Sequence, residues 1–243
     1  YWKPTTMVDV RIDARHDPAA LGEVLQKEGR LQVPNFFPDD VAEELYTLLR
    51  ANPTWFTAYN EGENFYEVPQ AEIAALNPAQ QQKFWQIIQK GAREGFQYFF
   101  QQYYISDAVQ NGRESGHPLH FMHDFVNSEP VLEFMRTLTR EPKVRYIDSF
   151  ASQYVAGNFL TRHDDTHATD DRVAAYVISM TKDWKADWGG NLVFFDDDEN
   201  IEGGFKPTFN TLNIFLVPKP HAVTVVAPFA GDRRTSFLGW VKR

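Results

Sequence analysis

Apolar residues in this chain follow two rhythms, and the change between them falls near Lys143. Before that point they recur at helical spacing. Val41, Leu45, Leu48 and Leu49 make one apolar face behind Pro38, and Asp40 and Glu43 stand ahead of it at the spacing of a capping box. Phe84, Ile88, Ala92, Phe96, Phe99 and Tyr103 form a wide aromatic stripe. That stripe predicts one long helix over 78–104, packed against a sheet. Ser128 is placed to cap a further helix, with Pro130 in its first turn and Val131, Met135 and Leu138 on its buried side.

After Lys143 the pattern becomes short runs rich in Val, Ile, Phe and Tyr. They predict strands at 144–156, 173–181, 191–195, 208–216, 222–226 and 235–241. Turn signals separate them at Gly157-Asn158, Gly189-Gly190, Gly203-Gly204, Pro218/Pro220 and Gly231-Asp232. Earlier short strands are expected at 8–12, 31–34 and 55–58, and the acidic run Asp196–Glu199 reads as a solvated loop. A series of strands punctuated in this way implies an all-β core with α additions: a jelly roll, or double-stranded β-helix, buttressed by N-terminal helices. The expected organisation is one domain over 1–243, in which 1–142 is mostly helical support and 143–243 is the jelly-roll core.

Composition narrows the chemistry. Of the 243 residues 43% are hydrophobic and 15% aromatic, enough for a sizeable core. A formal net charge of −9 argues against a nucleic-acid surface, which needs clustered Lys and Arg, and suits a small metabolite or a basic protein partner. With no cysteine, any transition metal must be held by histidine and carboxylate. No apolar run reaches the roughly 18 residues of a membrane span, so a cytoplasmic chain without membrane association is expected.

Four side chains in the last third carry the candidate chemistry. His163 and Asp165 stand as H-x-D after the strand-like segment SQYVAGNFLTR, His221 follows Pro218-Lys219-Pro220, and Arg234 opens the segment RTSFLGW. Two imidazoles and a carboxylate make a facial triad that holds a redox-active iron by one face. By period-two alternation Arg234 shares a face with Ser236 and Trp240, whereas Arg233 points the other way. An inward guanidinium is expensive to bury unless an anion meets it, and its planar fork suits a carboxylate. The combination points to an iron(II)/2-oxoglutarate oxygenase. Two alternatives stand beside it. His167 or Asp164 is close enough in sequence to replace one of the chosen ligands. His117, His120 and His123 form H-x2-H-x2-H before Asp124, a possible metal cluster whose plainer reading is packing or the lining of the pocket mouth.

The segment from Ser152 to Trp240 resembles the prolyl-hydroxylase class of iron(II)/2-oxoglutarate dioxygenases. The likeness rests on Y-x-x-G at Tyr154–Gly157 before H-x-D, TKDW at Thr181–Trp184, WGGNLVFF at Trp188–Phe195, H-A-V at His221 and R-x-S-x-x-G-W at Arg234. The last of these is similar to the branch that hydroxylates a proline of a ribosomal protein. The resemblance implies His163, Asp165 and His221 as iron ligands, and Arg234 with Ser236 as the grip on the 2-oxoglutarate C5 carboxylate. It also implies Tyr154 as a pocket hydroxyl near that carboxylate. The implied cofactors are Fe(II), 2-oxoglutarate and O2, with ascorbate in a supporting role, and the implied partner is a proline-containing protein or peptide. Two positions depart from the class. Ser179 stands where hypoxia-type enzymes carry a tyrosine, and the turn at 228–232 lengthens the interval before Arg234. A hydroxylase of a free amino acid or small metabolite is the alternative, and a non-catalytic metal-binding jelly roll is the remote one.

Overall fold

The computed structural model describes residues 9–52 and 54–243. Its centre is one antiparallel sheet curled into a nearly closed, barrel-like jelly roll. Along the sheet the order is β1 (Arg30–Pro34), β11 (Thr211–Leu216), β8 (Arg172–Ser179), β13 (Arg234–Lys242), β6 (Phe150–Tyr154), β4 (Tyr98–Tyr103), β7 (Phe159–His163), β12 (His221–Val223), β9 (Leu192–Phe195) and β10 (Ile201–Phe205). A hairpin of β2 (Phe56–Glu61) and β3 (Asn64–Pro69) extends from β4, and β5 (Tyr146–Ile147) pairs with the end of β13. Helices α1 (Pro18–Glu28), α2 (Asp39–Arg50), α3 (Gln70–Ala74), α4 (Pro78–Glu94), α5 (Ile105–Gln110), α6 (Phe121–Val126) and α7 (Glu129–Thr139) all precede the last two-fifths of the chain. No helix among the described residues is long and apolar enough to cross a membrane.

Successive residues of a strand point to opposite faces, and here both faces are used. Tyr176 and Ile178 of β8, Leu212 and Ile214 of β11, and Phe237 and Val241 of β13 join the helices in the main core. There they meet Leu25 of α1, Leu45 and Leu49 of α2, Met122 of α6 and Met135 and Leu138 of α7. The alternate residues face the interior of the roll. Ala175 and Phe215 form a second cluster there with Leu192 and Phe194, and Trp240 packs beside it. Gly239 is required where the chain before β6 crosses β13. An added Cβ would run into the Asp148 carbonyl and lie 3.1 Å from the Tyr176 ring.

The helix expected over 78–104 ends at Glu94, and the chain re-enters as β4. Two features account for the difference. Gly95 is a poor residue for a helix interior, and YFFQQYY has the aromatic content that suits a pleated surface. Backbone groups at the switch are claimed from outside: Asn60 donates to the Phe96 carbonyl at 2.9 Å and accepts from Tyr98 N at 3.1 Å. The stripe still packs together, across a helix–strand contact. Phe84 and Trp85 of α4 meet Phe99 of β4 at 5.6 and 4.9 Å between ring centroids.

Smaller differences have local causes. Helix α2 begins one residue before Asp40, at Asp39, so its N-cap is Pro38, which has no side-chain acceptor, and Glu43 pairs with Lys182 at 2.6 Å. Ser128 precedes α7, but its hydroxyl donates to the Phe125 carbonyl at 2.7 Å instead of capping. The run 144–156 is broken into β5 and β6 at Asp148-Ser149, where Ser149 N donates to Ser106 Oγ at 2.9 Å. The strand expected at 222–226 starts one residue earlier and stops at Val223. Strands β3 and β10 were not anticipated, although Asp196–Glu199 is an exposed turn before β10, as expected. Residues 9–12 carry no strand, and Val8 lies outside the described residues.

Phe237 is fully buried between the sheet and the helices. Phe237→Ala is expected to lower stability by about 3–5 kcal/mol, read as a lower urea midpoint with an unchanged denaturant slope.

Candidate metal and co-substrate site

Strands β7 and β12 lie side by side with His163 opposite His221. Residues directly opposed in an antiparallel pair project from the same face, and the two rings meet with centroids 4.1 Å apart. Asp165 lies just beyond the end of β7 at φ 63, in the left-handed region that aspartate enters more readily than most residues. Its Oδ1 is 3.3 Å from His163 Nε2 and its Oδ2 is 3.5 Å from His221 Nε2. One donor atom from each of the three residues falls within 4.8 Å of the others, an arrangement able to hold a metal ion.

The rings are oriented through their other nitrogens. His163 Nδ1 lies 3.0 Å from the Thr161 carbonyl, and His221 Nδ1 lies 2.7 Å from the Lys219 carbonyl. A carbonyl only accepts, so each Nδ1 donates and each Nε2 is left with its lone pair toward Asp165. Burial, followed by the neighbouring His163, pushes His221 down to about 4, so it is neutral at physiological pH. Burial alone would raise Asp165. The neighbouring His163 and His221 imidazoles and the Trp240 N–H outweigh it and hold the carboxyl below its ordinary range. Two imidazole nitrogens and one carboxylate suit a divalent transition metal and leave its far side open.

The second part of the site is a buried cation. Arg234 opens β13 opposite Tyr154 of β6. Its guanidinium carbon is 4.8 Å from the centre of the Tyr154 ring, which stacks on Phe100 at 4.8 Å. Arg234 Nε and Nη1 and Ser236 Oγ are all buried without a hydrogen-bond partner. Burial lowers the Arg234 pKa against the pull of Tyr154, and a guanidinium so placed is costly unless an anion meets it. Tyr154 shares its apolar cluster with Val223, two residues beyond His221 on the same strand. The cation and the metal-capable group therefore line the same interior. Arg233 points the other way, donating to Gln153 Oε1 at 2.7 Å and to the Arg50 carbonyl at 3.0 Å. Ser179 is fully buried opposite Ser236, and its hydroxyl accepts from Thr208 N at 3.1 Å.

The competing ligands lie elsewhere. His167 is exposed, and its Nδ1 accepts from Asp170 N at 3.1 Å. Asp164 is exposed and accepts from Thr166 N at 2.9 Å. The three histidines around α6 are used in packing. His120 pairs with the Tyr103 hydroxyl at 2.9 Å, His123 with Ser106 Oγ at 3.0 Å, and the His117 ring lies 4.2 Å from that of Tyr103. Among the described residues His163, Asp165 and His221 form the one such metal-capable group. Reading the sequence left three neighbours of the group unplaced. Phe96, assigned to a helix, lies 5.4 Å from the His163 ring. Arg172 and Trp240 stand beside Asp165. For Trp240 the signal was present, since it shares the alternation of Arg234. For Arg172 there was none, because it approaches Asp165 across a loop.

Residues 149–242 match the model of the 2OG-Fe(II) oxygenase superfamily. No curated protein matches the chain in sequence. Among solved structures, a Pseudomonas putida prolyl-4-hydroxylase superposes with a TM-score of 0.59 at 20% identity, over 93% of this chain and 99% of that one. A 2OG-Fe(II) oxygenase-family oxidoreductase from Burkholderia pseudomallei gives 0.59 at 12% identity, over 96% and 93%. A Trichoplax adhaerens prolyl hydroxylase, in complex with a hypoxia inducible factor oxygen degradation domain peptide fragment, gives 0.56 at 16% identity, over 93% and 88%. At these identities the likeness to solved structures is one of fold. The match to the 2OG-Fe(II) oxygenase superfamily thus falls on the segment that carries His163, Asp165, His221 and Arg234, and it is this segment that is similar to that family.

Proposed function

We propose that the chain hydroxylates a prolyl residue of a protein or peptide. In this reading it holds Fe(II) through His163, Asp165 and His221, and it holds the far carboxylate of 2-oxoglutarate through Arg234 and Ser236, with the Tyr154 hydroxyl nearby. The observation that carries the co-substrate assignment is the Arg234 guanidinium, buried with two nitrogens and the neighbouring Ser236 hydroxyl lacking partners. A carboxylate entering there would bring charge-assisted acceptors to these unpaired donors. Bound Fe(II) supplies the hard chemistry, an O2-dependent oxidative decarboxylation of 2-oxoglutarate coupled to hydroxylation of an unactivated C–H bond. The chain supplies orientation and exclusion of water. The carbonyls of Thr161 and Lys219 fix the imidazoles, and Phe215, with its ring 4.5 Å from that of His221, keeps that side of the site dry.

The prolyl part of the proposal is supported by the fold it shares with prolyl hydroxylases, one of them holding a peptide. It is also supported by the net charge of −9, which favours encounter with a basic partner. The decisive experiment is an anaerobic titration of apo-protein with Fe(II) and 2-oxoglutarate, followed by turnover of basic, proline-containing peptides read as an oxygen-atom mass gain. A chelate charge-transfer band is expected in the visible, together with a mass gain on proline. Turnover of free amino acids but of no peptide would move the substrate assignment to a small metabolite.

His163→Ala is expected to abolish both the band and turnover, and a fully active variant would refute the metal assignment. Arg234→Ala should leave Fe(II) binding intact and raise the 2-oxoglutarate requirement by roughly 30-fold or more, the cost of removing one partner of a buried charged pair. An unchanged requirement would refute the grip. Acid should weaken the apo-protein. His221 and Asp165 both titrate lower in the fold than in the unfolded chain, so the unfolded state takes up more protons and stability falls with pH. For His221 the loss runs from about 6.5 down to about 4 and amounts to roughly 3 kcal/mol. Urea unfolding as a function of pH should show that slope, and it should be shallower in His221→Gln.

A further inference from the structure

We infer that Arg172 is a positioning residue for the metal-binding carboxylate: it clamps the backbone of Asp165 in its left-handed conformation and so aims the side chain at the two imidazoles. The inference rests on the proposed role of Asp165 as a ligand. At φ 63 Asp165 occupies a region that costs a non-glycine residue energy unless its surroundings hold it there. The connection from Thr166 to Thr169 is exposed, and the hydrogen bonds to its side chains and from its backbone to side chains run to near neighbours in the chain, so it offers little restraint. Arg172 supplies the restraint from β8. Its Nη1 donates to the Asp165 carbonyl at 3.2 Å and stands 4.0 Å from the carboxylate Oδ1.

The guanidinium is itself held by two further contacts. It lies over the Trp240 ring, with its central carbon 3.7 Å from the ring centre. Its Nη2 donates to Asp170 Oδ2 at 3.2 Å, and Lys242 Nζ holds the same oxygen at 3.1 Å. Trp240 is in turn braced edge-on by Phe150, with centroids 5.2 Å apart. Stacking on an aromatic face leaves the in-plane N–H groups of an arginine free to donate. The result is a rigid donor aimed at the one carbonyl whose position sets where the carboxylate falls. Among the described residues the polar and stacking partners of the Arg172 side chain are Asp165, Asp170 and Trp240, so its effect on the imidazoles passes through Asp165.

Arg172→Met keeps the length and the contact with Trp240 and removes the donors. Its Mn(II) affinity, measured by the loss of free-ion EPR signal on titration, should fall about 10- to 100-fold, the usual effect of losing a group that orients a ligand. In an Asp165→Ala background the same substitution should cause no further loss, because residues acting as a unit are not additive. Arg172→Lys should fall between the parent and Arg172→Met. The urea midpoint of metal-free Arg172→Met should match that of the parent. Unchanged Mn(II) affinity, full additivity with Asp165→Ala, or an affinity loss matched by a fall in the apo midpoint would each overturn the inference. His163→Ala separates the two levels. If it binds Mn(II) like the parent, the metal assignment itself fails. If it loses Mn(II) while Arg172→Met keeps it, only the role of Arg172 fails.

Discussion

The constraint on which the rest of this structure depends is that β8, β11 and β13 are buried on both faces. A strand in that position has no polar side to spend on solvent, so every second residue is committed to the helices and every other one to the interior of the roll. On β13 the commitment is enforced by Phe237 and Val241, locked among helical side chains. A slip of one residue would drive those large groups inward and turn Arg234 out. The apolar packing of one face thus holds a charge on the other where, left alone, it would not stay. Function on this scaffold is written into the face that hydrophobic burial does not need.

The grouping of His163, Asp165 and His221 was legible in the sequence because its residue types are chemically distinctive and their order is unusual. The choice of Arg234 over Arg233 came from alternation alone, and the two side chains do part company, one into the roll and one toward Gln153 and Arg50. What could not be read depends on partners distant in the chain. Phe96, Phe99 and Tyr103 keep a helical period yet lie beyond the end of α4, because β2, β6 and β7 offer backbone partners that no local window contains. Asp40 and Glu43 had the spacing of a capping box, but the helix starts at Asp39 behind Pro38, which places both inside it. Asp165 reaches both imidazoles by a backbone turn that strand alternation does not anticipate. Arg172 arrives from across a loop.

The mid-sheet position of β4 separates two ideas of what this protein's core is. The family-matched segment 149–242 contains the candidate ligands, but β6 and β7 are joined in the sheet only by way of β4, which comes from the helical first part of the chain. Without β4 each of those strands would present a free hydrogen-bonding edge, the kind that recruits other chains. β1 does the same service at the outer side of β11. The segment that carries the candidate ligands is completed by strands made before it, so a cut near residue 143, harmless by motif, would divide a single sheet.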